Sequence, residues 1–164
     1  MGEQKVSRGN SSQFFVAGEL CRRGYSAVVT LGSTPNTDIL CSNLEGTRFV
    51  HIQVKTFRPG DVTCSVGQKA EMVYSDDFFW VLAGIPVIGS TADFEYFIIP
   101  ASVMSVNVRS KHQDWLHTKG AKGQDRNDTK LRTVILPPYK RQDGWHVEGQ
   151  YRNKWELIEK VLDN

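Results

Sequence analysis

Apolar residues fall in short runs separated by Gly, Pro, Asn and Asp, and the spacing within the runs switches between helix and strand periods. Ser11 or Ser12 can cap a helix over about 13–23, which stops at Gly24, a residue suited to the left-handed position after a helix. Residues 26–31, rich in β-branched side chains, read as a strand, and the loop from Gly32 to Thr37 follows from its Gly, Ser, Pro and Asn content. A short strand at 38–42, a turn at 43–46 and a longer strand at 47–56 come next. Val62, Cys64 and Val66 alternate with polar residues, as in a short or edge strand, and 68–74 suits one or two helical turns. The run 78–85 is almost wholly apolar, which predicts a strand covered on both faces inside a sheet. A strand at 94–99, a helix at about 101–108, a strand at 131–136 and an amphipathic helix at 151–162 complete the pattern. The sum is one α/β domain over 1–164, a mixed sheet with helices against it.

The segment from Asp38 to Lys55 carries the chemistry. A turn centred between Leu44 and Glu45 sets Asp38 opposite His51 and diagonal to Gln53. Side chains alternate along a strand, so Asp38, Leu40, Phe49, His51, Gln53 and Lys55 share one face and Val50, Ile52 and Val54 the other. The second face is apolar and belongs to a core. The first brings a carboxylate, an amide and an ammonium within roughly 7–8 Å as diagonal neighbours, and a one-residue slip would scatter them. Asp38 and Gln53 offer oxygen to a hard divalent cation, while Lys55 can orient a water or offset charge on a phosphate.

Composition changes this picture little. The net charge of +2 over 164 residues permits nucleic-acid binding without demanding it. No apolar run is long enough to cross a bilayer, and the polar first ten residues lack a secretory apolar segment. Three widely spaced cysteines, Cys21, Cys41 and Cys64, suit a reducing cytoplasmic setting and core packing better than a disulfide or zinc framework.

Gly18-Glu19-Leu20, Thr37-Asp38-Ile39-Leu40 and Ile52-Gln53-Val54-Lys55-Thr56, in that order and on those elements, resemble the PD-(D/E)XK nuclease superfamily. That family includes restriction enzymes and Holliday-junction resolvases. The resemblance covers about residues 11–100, with 101–164 as a C-terminal extension. It implies a restriction-endonuclease-like core in the order α-β-β-β-α-β. It further implies a Mg²⁺-dependent (or Mn²⁺-dependent) endonuclease acting on DNA. By the same resemblance Asp38 is the central metal ligand, Gln53 and the Val54 carbonyl are further ligands, Lys55 is the catalytic lysine and Glu19 an accessory acid. Gln53 stands where the family usually has Glu or Asp, and an amide brings less negative charge to a cation. A nuclease-fold protein that has lost cleavage and binds nucleic acid or a protein partner is therefore the alternative. Proteins of this fold often act as homodimers so that both strands are cut, and no segment here marks such an interface.

Simpler roles stand beside these. Glu19 lies three and four residues before Arg22 and Arg23, the spacing of helical ion pairs. Asp38 can close its Pro-Asn-Thr turn, Lys55 can guard a strand edge, and His51 can be a packed strand residue. Lys69 and the basic residues from Arg109 to Arg132, with Trp115 among them, can track a phosphate backbone or form a solvated face diluted by Asp114, Asp125 and Asp128.

Overall fold

The computed structural model describes residues 2–31, 34–141 and 144–164, and all of their side chains except those of 2–6 and 8. The predicted loop at 32–37 is therefore seen from Thr34 onward, with Gly32 and Ser33 outside the described residues.

Helix α1 spans Gly2–Arg22, longer at its start than its serines suggest. Ser12 does not cap it: its hydroxyl donates to the Gly9 carbonyl one turn back at 2.7 Å and meets Thr56 Oγ1 at 2.7 Å. With that bond made inside the helix, Ser12 is a tie to a strand. The helix ends as expected, at Gly24 with φ 95°.

Strands β1 (Ser26–Val29), β2 (Ile39–Ser42), β3 (Phe49–Phe57), β5 (Phe78–Gly84) and β6 (Glu95–Pro100) form a sheet in the order β1-β2-β3-β5-β6. The first three run antiparallel in sequence, β3 and β5 are parallel, and β5 and β6 are antiparallel. The all-apolar β5 is an interior strand with every residue buried, as the continuous run predicts. The crossover from β3 to β5 carries a short strand, β4 (Thr63–Ser65), and a 3₁₀ turn at Gln68–Glu71 where a helix was expected. Strand β4 leaves the main sheet and pairs with β7 (Thr133–Ile135), which pairs in turn with β8 (Trp145–His146).

Two apolar clusters sandwich the main sheet. On one face Val50, Ile52, Val54 and Phe79 meet Val16 and Leu20 of α1 and Trp155, Ile158 and Leu162 at the C-terminal helix α3 (Glu156–Asp163). On the other, Trp80, Leu82 and Phe97 meet Ala70, Val134 and Met104, the last on helix α2 (Ala101–Leu116). Cys41 and Cys64 are core residues as expected, whereas Cys21 is exposed. Helix α2 runs two turns beyond its predicted end at 108, into the basic stretch that begins at Arg109. Helix α3 starts later than 151 because Asn153 sits at φ 52° and interrupts the turn ahead of it.

Candidate active site

The site is built at the open end of the β2–β3 ladder. Asn43 takes the main-chain N–H groups of Thr47 and Arg48 on its side-chain oxygen, and Gly46, at φ 65°, closes the turn onto the Asn43 carbonyl. The loop is thus wider than a two-residue hairpin turn. Leu40 pairs with His51 and Ile39 with Ile52, so the register moves by two residues from the predicted one. A shift of two preserves the face of every side chain. It carries Asp38 past His51 to the level of Gln53.

There the Gln53 amide nitrogen donates to Asp38 Oδ2, and the Val54 N–H donates to the same oxygen at 2.7 Å. Gln53 is buried and Asp38 and Lys55 are half-buried. In an extended strand the N–H and C=O of one residue point to the same side, so the Val54 carbonyl also leaves β3 toward Asp38. Lys55 lays its ammonium over the Trp80 ring, 5.9 Å from the centroid. Trp80 faces Gln53 across the parallel β3–β5 pair, is 1% exposed, and its indole N–H has no partner among the described residues.

Burial is the main influence on the Asp38 carboxyl and lifts its pKa above the ordinary value of 3.8. The Val54 N–H, the Lys55 charge, the Gln53 amide and the more distant Lys69 pull the other way. A raised folded-state pKa means that ionised Asp38 weighs against folding. The cost is absent below the unfolded pKa of about 3.9, grows through the raised value and is constant above it. Asp38→Asn is therefore expected to melt above the wild type at neutral pH without metal, with the difference vanishing below about pH 4. Thermal melts across pH in chelator check this.

The oxygens that the corner offers are the Asp38 carboxylate, the Val54 carbonyl and, once the amide that donates to Asp38 turns over, the Gln53 side-chain oxygen. That is a hard, all-oxygen set of low charge, suited to a cation such as Mg²⁺ that keeps several of its waters. No group of three His, Cys, Asp or Glu side chains that could hold a metal ion exists among the described residues.

Glu19 is not brought to this group. Its carboxylate accepts from Arg22 and Arg23, each at 2.8 Å, and the Arg22 hydrogen bond holds its pKa below the usual range. Helix α1 packs on the opposite face of the sheet from Gln53 and Lys55. The ion-pair reading is the one the structure supports, and Glu19→Gln is expected to lower the melting temperature slightly while leaving any cleavage rate unchanged.

His51 is half-buried on the same face as Gln53, with Nδ1 3.2 Å from the Thr37 hydroxyl and its ring parallel to that of Phe78. In the basic stretch, Lys111 pairs with Asp114, Lys119 with Asp125 and Arg132 with Asp128. Trp115 carries Arg126 at 4.5 Å from its centroid and stacks with His112, so those groups already use its ring. Two supports of the site escape sequence reasoning. Trp80 reads as core, which it is, and only the β3–β5 pairing puts it under Lys55. Lys69 reads as one scattered cation among many.

The five-stranded mixed sheet with helices on both faces is a fold shared with a nuclease of known structure. The chain is similar in structure to a bacterial homing endonuclease (TM-score 0.53, 16% identity, covering 94% of this chain and 91% of that one). It also aligns with a Holliday junction resolvase of Archaeoglobus fulgidus (TM-score 0.41, 13% identity, covering 77% and 83%). No family model and no curated protein sequence matches it. Among the described residues no helix is long and apolar enough to cross a membrane.

Proposed function

We propose that this protein is a metal-dependent endonuclease that hydrolyses DNA phosphodiester bonds at the Asp38–Gln53–Lys55 corner. The observation that carries the reading is the convergence on Asp38 Oδ2 of the Gln53 amide and the Val54 N–H, with Lys55 anchored over Trp80 beside them. Asp38, Gln53 and the Val54 carbonyl would hold Mg²⁺ or Mn²⁺. When bound, the cation supplies Lewis-acid polarisation of the phosphate and acidifies a coordinated water. Asp38 contributes the single negative charge of the donor set, and the Val54 N–H fixes its orientation. Gln53 contributes a neutral oxygen once its amide turns from Asp38. The Lys55 ammonium, steadied by the indole face, orients the attacking water and offsets charge gathering on the phosphate oxygens. The fold and the corner support DNA as the nucleic acid only through the likeness to a homing endonuclease, so RNA is included in the test.

A second reading has a specific observation behind it. Gln53 stands where the resemblance places an acidic ligand and Glu19 is engaged with arginines, which leaves Asp38 as the sole carboxylate at the corner among the described residues. Such a protein would bind nucleic acid, or a protein partner, without cutting. Gel-shift and nicking assays on the same DNA and RNA separate the two. Cutting in Mg²⁺ that disappears in Asp38→Ala upholds the enzyme, and a stable shift with intact substrate in either metal upholds the binding module.

A further inference from the structure

We propose that Met72 and Val73 form an apolar prong that enters the base stack beside the cleavage centre, making the substrate a DNA duplex whose bases can be unstacked at the cut. This deepens the nuclease reading and rests on it.

Single exposed apolar residues are ordinary on a protein surface. These two are adjacent, at 48% and 76% exposure, and both ends of their segment are clamped. On the N-terminal side, Glu71 takes Arg132 Nε at 2.5 Å on its carboxylate and Arg109 Nη2 on its carbonyl, and Arg132 is itself 4% exposed. On the C-terminal side, the Tyr74 ring stacks on Phe78 with centroids 4.1 Å apart and planes 16° apart. A segment held at both ends keeps Val73 in solvent, with Met72 half-exposed beside it and its sulfur accepting from the Tyr74 hydroxyl at 3.6 Å.

The location supplies the partner. Phe78 pairs in register with His51 on β3, two residues before Gln53, so two successive ring contacts, Tyr74 on Phe78 and Phe78 on His51, tie the prong to the strand that carries the corner. Lys69, exposed on the same 3₁₀ turn, is close enough to Asp38 to help hold its charge. Cations at the corner draw the phosphate backbone to them. The segment beside them then faces the bases, and apolar side chains, Met included, inserted between base steps unstack them and kink the duplex. An unstacked step frees the backbone to bend toward Asp38.

The test uses whichever DNA the wild type cuts, with 2-aminopurine placed at the bases flanking the mapped cut. Binding is followed in Ca²⁺ and cutting in Mg²⁺, for wild type, Met72→Ser/Val73→Ser and Met72→Leu/Val73→Leu, with melting temperatures as a check on folding. Wild type and the Leu pair are expected to raise the fluorescence, whereas the folded Ser pair leaves it flat and cuts about tenfold more slowly. A Ser pair that unstacks and cuts like the wild type overturns the prong alone. So does a Ser pair whose only change is loss of self-association in sedimentation, which would make the patch a contact with a second copy. A wild type that binds but cuts nothing removes the nuclease reading, and this inference with it.

Discussion

Lys55→Ala is expected to lower the rate of DNA cleavage by about a hundred- to a thousandfold while leaving the fold intact. Lys55 is half-buried, forms no ion pair with an acidic side chain among the described residues, and meets the Trp80 ring face. In the proposed mechanism its removal strips a preorganised positive charge from the place where phosphate charge would build, and such donors are among the largest single contributors to catalysis. The ammonium is also one of the charges that steady ionised Asp38, so the variant should need more metal as well. Single-turnover cleavage over a range of Mg²⁺ concentrations resolves both effects. An unchanged rate at saturating metal would remove Lys55 from the chemistry.

Gln53→Glu is the second large effect, and its sign runs in the direction of gain. A carboxylate in place of the amide adds a charge to the donor set, and cation affinity follows ligand charge. The Mg²⁺ concentration for half-maximal cleavage is expected to fall by about tenfold. The same change removes the amide donated to Asp38 and sets two carboxylates together, which raises the pKa of the pair and destabilises the metal-free protein at neutral pH. Added metal should reverse that loss. Thermal melts with and without Mg²⁺, beside the cleavage titration, read both halves. A variant indifferent to metal in both assays would mean that no cation sits at Gln53.

Much of the fold was legible because its strands are short, apolar and punctuated. The run at 78–85 announced an interior strand, and Gly24 marked the end of the first helix. The start of α1 was not, because a serine that caps a helix and one that bonds within it look alike in sequence. Strand β8, two residues long, is too short to leave a period. At the site, the face carrying Asp38, Gln53 and Lys55 was readable from alternation alone. The pairing of Asp38 with Gln53 was not, because it depends on Asn43 and Gly46 opening the turn by two residues. The same parity that kept the faces right hid the shift. Glu19 shows the opposite failure: its motif suited an accessory acid, but its neighbours one helical turn away decided its partners.

The most direct test of the central claim is incubation of the purified protein with supercoiled, linear and branched DNA in Mg²⁺, in Mn²⁺ and in chelator. Cutting of at least one form in Mg²⁺ or Mn²⁺, and none in chelator, is the expected result. Folded protein that leaves all three forms intact in both metals, or that cuts equally well in chelator, would contradict it.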